Sequence, residues 1–120
     1  MLLMLGPVAS QVYSEETQTK QSFASFWVKF RAAVASNDKE AVAAMTKFPV
    51  DISANVTRDA FLEKYHEFFN QNVRRCFAKE KPVSDDQSRR GGYNLFCGND
   101  IFTFEKVDGE YKLTGIGVND

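Results

Sequence analysis

The chain has 120 residues, enough for one domain and too few for two of ordinary size. Fifteen basic residues against sixteen acidic ones leave a formal charge of −1. The charges are dispersed, so the electrostatic footprint of a nucleic-acid or anionic-membrane binder is missing. Eleven Phe, four Tyr and one Trp supply a core, since each buried aromatic removes roughly 150–250 Å² from water.

Met1 to Ser10 is apolar, and the chain turns polar from Gln11 to Gln21. A membrane span takes about 20 apolar residues, so this run is too short to cross. It fits the end of a secretory h-region, with Val8-Ala9-Ser10 as a small-residue cleavage site before Gln11. The ten residues carry no Lys or Arg, and a loosely packed apolar terminus is the other reading. Residues 1–21 are thus assigned to a truncated signal peptide and linker, and residues 22–120 to a single domain.

Phe23, Phe26, Trp27, Phe30, Ala33 and Val34 recur at three- and four-residue spacing and predict a helix from Ser22 to Ser36. Asn37 stops it. Asn37-Asp38-Lys39-Glu40 fits a capping box that opens a short helix to Thr46, with Glu40 reaching back to the cap. Phe48-Pro49-Val50-Asp51-Ile52 is extended, because Pro49 forbids a helix and marks an edge or a strand start. Thr57 caps one long helix from Arg58 to Phe77, whose inward stripe is Phe61, Leu62, Tyr65, Phe68, Phe69, Val73 and Cys76. Lys79 to Arg90 is a polar loop, with one ragged strand around Val83. Strands follow at Tyr93 to Cys97, Ile101 to Val107 and Glu110 to Val118, and Asp108-Gly109 is a type I′ hairpin signal. Helices first and a curved antiparallel sheet last define an α+β domain.

Cys76 and Cys97 form an even pair. In an exported chain that favours one disulfide; two buried free thiols are the alternative. Two Cys and one unclustered His fall short of a zinc site, and no cofactor motif is present.

The order helix, helix, short strand, long helix, three-strand meander resembles the NTF2-like superfamily, in its small exported and ketosteroid-isomerase-like members. The likeness is carried by Phe26 to Phe30, Ser36-Asn37-Asp38, Ala41 to Met45, Phe48-Pro49-Val50 and the closing run from Phe102 to Ile116. It covers Ser22 to Val118 and implies a cone, with the sheet wrapped around the long helix. Fold at this level says little about function. A pocket at the mouth of the cone would be lined by Trp27, Phe30, Phe61, Tyr65, Phe69, Phe102 and Phe104, although the same residues are needed to fill the core.

Two side chains are weak catalytic candidates. The resemblance puts a catalytic carboxylate near the first strand, where Asp51 stands, yet alternation sets Asp51 opposite Val50 and Ile52 and turns it toward solvent. His66 is the single histidine and a neutral-pH base by chemistry; it sits off the inward stripe. Arg89-Arg90 beside Gly91-Gly92 offers anion contacts, with Asp85-Asp86 as local charge balance. Three roles are expected from this inventory. The first is an exported, non-catalytic domain, secreted or periplasmic, that binds a small apolar ligand or a protein partner. The second is a small isomerase or lyase using Asp51 or His66. The third is a homodimer through the outer sheet face, where Thr103, Glu105, Lys112 and Thr114 fall.

Overall fold

The computed structural model describes residues 21–119. The export-signal reading of residues 1–20 lies outside them. Helix α1 spans Phe23–Ala35. The Ser22 side chain accepts a hydrogen bond from the Ser25 N–H and caps its start. Its end is a Schellman motif. Asn37 takes a left-handed φ of 56°, the Asp38 N–H reaches Ala33 O at 2.9 Å, and the Asn37 N–H reaches Val34 O at 3.1 Å.

That ending corrects the expected capping box. Asp38, not Asn37, caps α2, which spans Lys39–Ala44, by accepting from the Ala41 N–H. Glu40 is then one residue short of the position that reaches back to a cap. It pairs instead with Arg58, Nη2 to Oε1 at 2.6 Å. Both partners are half exposed or more, and such a surface pair contributes little.

The helix expected from Arg58 to Phe77 is three helices: α3 (Arg58–Glu63), α4 (Tyr65–Phe68) and α5 (Gln71–Lys79). Asn70 is extended at ψ 179° and its side chain accepts from the Val73 N–H, a fresh N-cap in mid-segment. Arg74 Nη1 donates to Phe69 O at 3.1 Å, serving a carbonyl left over at the end of α4. Of the expected inward stripe, Phe61, Tyr65, Phe69 and Val73 are buried, Leu62, Phe68 and Cys76 are only partly buried against the core, and Phe77, outside that stripe, is buried as well.

Six strands form one sheet in the order β2-β1-β6-β5-β4-β3. They are β1 (Thr46–Asp51), β2 (Asn55–Val56), β3 (Val83–Ser84), β4 (Tyr93–Cys97), β5 (Asp100–Val107) and β6 (Glu110–Val118). The sheet is curved and unclosed. The expected antiparallel meander is present as β4-β5-β6. The sheet as a whole is mixed, because β1 pairs parallel to β6. Nor is β1 an edge, since β2 covers its other side. Pro49 has no N–H to give. It lies where β1 and β6 lose register, between the Thr46↔Leu113 and Asp51↔Gly115 pairings.

A second irregularity bends the far strands. Thr103 opposes Gly115 while Phe104 opposes Leu113, so Thr114 is an extra residue in β6. The bulge lets both Leu113 and Ile116 face the helices, where both are buried. The β5–β6 hairpin closes on Asp108 (φ 54°) and Gly109 (φ 86°), the two positive values that a type I′ turn requires.

The core fills the space between the helices and one face of the sheet. Val34 and Val42 come from the helices and Val50, Leu95 and Leu113 from the strands, around a continuous set of aromatic rings. Thr46 is the buried polar residue of this layer, and its hydroxyl donates to Val42 O at 2.7 Å. A disulfide joins Cys76 on α5 to Cys97 at the end of β4, with Cα atoms 5.7 Å apart. It ties the last helix to the sheet. Among the described residues, no helix is long and apolar enough to cross a membrane.

Candidate functional site

The seven aromatic residues expected at a pocket mouth do come together. Phe30 meets Phe104 edge-on at 5.1 Å, Tyr65 stacks on Phe69 at 4.9 Å, and Phe69 lies 5.5 Å from Phe102. Trp27 packs on Phe104 at 5.8 Å and Phe61 on Phe69 at 6.2 Å. The rings pack against one another. Six of the seven are fully buried and Trp27 is 9% exposed. Phe26 and Phe77 complete the cluster: Phe77 contacts Trp27, Phe30, Phe69 and Phe102. The four-residue step from Val73 to Phe77 was the signal for its place.

One polar atom in this interior has no protein hydrogen-bond partner, the Tyr65 hydroxyl. Burial pushes its phenol up to about 12, with Arg74 pulling the other way and Asp38 adding to the rise. Among the described residues no carboxylate, imidazole or ammonium is buried.

Asp51 and His66 are not brought together. Asp51 is exposed on the sheet face turned away from the helices, while Val50 beside it is fully buried. His66 is exposed on α4, its ring edge-on to Tyr65 at 5.5 Å. The two residues therefore stand on different layers. Arg89, Arg90 and Asp86 are exposed, and Asp85 Oδ1 accepts from the Gln87 N–H rather than pairing with an arginine.

Three concavities on the described surface are lined by other residues than these seven. One, of about 350 Å³, lies beside the disulfide among Asn70, Asn72, Asn99 and Asp100. Another, of about 490 Å³, lies between the β1–β2 connection and helices α3 and α4, where Ile52, Val56, Ala60 and Phe68 give it an apolar wall.

The largest of the three, about 630 Å³, is a trough on the outer face of the sheet. Strand β1 supplies Lys47 and Asp51, β5 supplies Thr103 and Glu105, and β6 runs along the floor from Thr114 to Val118. Arg90 closes one end. Strand alternation explains Lys47, Asp51, Thr103, Glu105 and Thr114, because each sits next to a residue buried against the helices. Side-chain bonds hold the middle of the trough. Thr103 Oγ1 donates to Asn94 Oδ1 at 2.9 Å, and Thr114 Oγ1 donates to Glu105 Oε1 at 2.8 Å. Of the four residues expected on the outer face, Thr103, Glu105 and Thr114 line the trough. Lys112 turns its ammonium to Ala44 O at 3.3 Å. Sequence reasoning placed Asp51 outward but missed its neighbours Lys47 and Gly115, because the β1–β6 pairing that joins them was not foreseen.

The chain matches no family model, no curated protein and no solved structure.

Proposed function

We propose that this chain is an exported, non-catalytic domain of the NTF2-like superfamily that holds a protein partner on the outer face of its sheet. One observation carries the reading. The aromatic rings are buried against one another, whereas the largest of the three concavities lies on the outer sheet face, with Lys47, Asp51 and Arg90 exposed along it. The order of helices and strands supports the superfamily, as does a curved sheet resting on them. The Cys76–Cys97 bridge supports an oxidising compartment, secreted or periplasmic.

A small apolar ligand is the second reading. The apolar wall of Ile52, Val56 and Phe68 favours it, in the groove beside α4 rather than among the seven aromatic residues. An isomerase or lyase has less support, because Asp51 and His66 are each exposed.

Site-specific photocrosslinking in the producing cells tests the proposal. A photoreactive residue at Thr103 should give a discrete protein adduct, and one at Lys29 on the exposed face of α1 should not. Adducts at Phe68 with none at Thr103 would move the site to the apolar groove and overturn the reading.

A further inference from the structure

We propose that Asn55 carries an N-linked oligosaccharide, an inference that rests on the exported part of the reading just given. Asn55-Val56-Thr57 is the acceptor triplet Asn-X-Thr, with a residue other than proline in the middle. Asn37, Asn70, Asn72, Asn94 and Asn99 have no Ser or Thr two residues on. The fold sets the triplet on the surface. Asn55 and Thr57 are exposed, while Val56 between them packs inward against the core. Ser53, at a left-handed φ of 64°, turns the chain back from β1, and Asn55 then pairs with Asp51. Residues opposed in an antiparallel pair share a face, so the Asn55 amide stands outward beside Asp51. It borders both the trough and the apolar groove.

The place gives the sugar a physical task. Strand β2 ends the six-stranded sheet and is two residues long. A sheet edge leaves backbone N–H and C=O groups open to another chain, and proteins cover such edges. An oligosaccharide on Asn55 is bulky and hydrophilic, so it screens this edge. It also bounds the trough on the β2 side, which leaves the Arg90 end to the partner. The co-reactant is a lipid-diphosphate-linked oligosaccharide, supplied with its transferase by the secretory membrane. Asn55 Nδ2 attacks the anomeric carbon. The bond from that carbon to the diphosphate oxygen breaks, a carbon–Nδ2 bond forms, the lipid diphosphate leaves with the electron pair, and the amide gives one proton to a base of the transferase. Nothing is oxidised or reduced.

Intact mass of the protein purified from its producing cells, before and after an amidase that releases N-linked glycans, tests the inference. The untreated protein should exceed the mass of its polypeptide. Treatment should remove the excess and leave Asn55 as Asp in the peptide map. Thr57 has a second duty, since its Oγ1 accepts from the Ala60 N–H at 3.3 Å and caps α3. Thr57→Asp keeps a capping side chain and destroys the triplet, so it should fold and lose the excess, as should Asn55→Gln. Thr57→Ser keeps both duties and should retain it. Circular dichroism checks that each variant folds. A mass excess that persists in Asn55→Gln overturns the inference. A secreted protein with the Cys76–Cys97 bridge intact and Asn55 bare overturns it too, and leaves the export reading standing. A cytosolic protein whose two cysteines both take an alkylating label overturns both.

Discussion

Replacing Cys76 and Cys97 together by alanine removes the covalent tie between α5 and β4 and frees the unfolded chain. The cysteines are 21 residues apart, so the closed loop holds about 22 residues and the chain-entropy model assigns it roughly 3.4 kcal/mol. Cys97 is also buried, and losing its sulfur adds a small packing cost. A total near 3–4 kcal/mol is a large share of the roughly 5–15 kcal/mol that holds a domain together. Urea unfolding of the oxidised wild type, the reduced wild type and the double variant measures it. The last two should agree. Their denaturant slope should exceed that of the oxidised protein, because an unfolded chain without the cross-link exposes more surface. A loss below about 1 kcal/mol with an unchanged slope would refute the entropic account. It would mean that the stretch from α5 to β4 stays compact after unfolding.

Tyr65→Phe keeps the ring stack on Phe69 and deletes a buried hydroxyl that has no protein partner. Such a group costs about 1–3 kcal/mol, so the variant should match or exceed the wild-type melting temperature; a drop of several degrees would show that the hydroxyl is bonded after all. The same phenol makes stability depend on alkaline pH. Its folded value of about 12 lies above the unfolded value of about 10, so between them the folded state holds more protons. Its contribution is complete below about pH 10 and is lost on the way to about pH 12, on the order of 2–3 kcal/mol. Thermal melts across that window should show a larger loss in the wild type than in Tyr65→Phe, where the Tyr111 phenol, also raised by burial, still contributes. Asn70→Ala should cost about 1 kcal/mol by removing the cap of α5, read as faster amide exchange at Val73; an unchanged exchange rate contradicts the cap. Gly109→Ala places a Cβ at φ 86° and should cost about 1 kcal/mol. Equal stability by urea unfolding would mean that the hairpin turn rearranges.

The segment from Arg58 to Phe77 shows where sequence reading stopped and why. Five inward residues stand at steps of four: Phe61, Tyr65, Phe69, Val73 and Phe77. A straight helix advances about 100° per residue, so each step of four drifts by about 40°. Across the sixteen residues from Phe61 to Phe77 the drift reaches about 160°, and the two ends would point to nearly opposite sides. All five can face one core only if the helix is interrupted. The strict spacing therefore carried the breaks, and Asn70 marked one of them as a residue that caps more readily than it continues a helix. Treating the stripe as a general three-and-four pattern hid both facts.

The parallel β1–β6 pair was not legible for a different reason. Alternation of Thr46 and Val50 inward against Lys47 and Asp51 outward reads the same whichever way a strand runs. Direction is set by contacts between residues more than sixty positions apart, and nothing in a short strand encodes them. The local devices were legible: the Thr57 cap, the Asp108-Gly109 turn and the outward side of Asp51. The trough depends on the long-range pairing. Only when β1 lies beside β6 do Lys47 and Asp51 flank the floor that runs from Thr114 to Val118. Each strand taken alone shows ordinary outward polar residues. The trough is thus a property of strand order, which no single strand encodes.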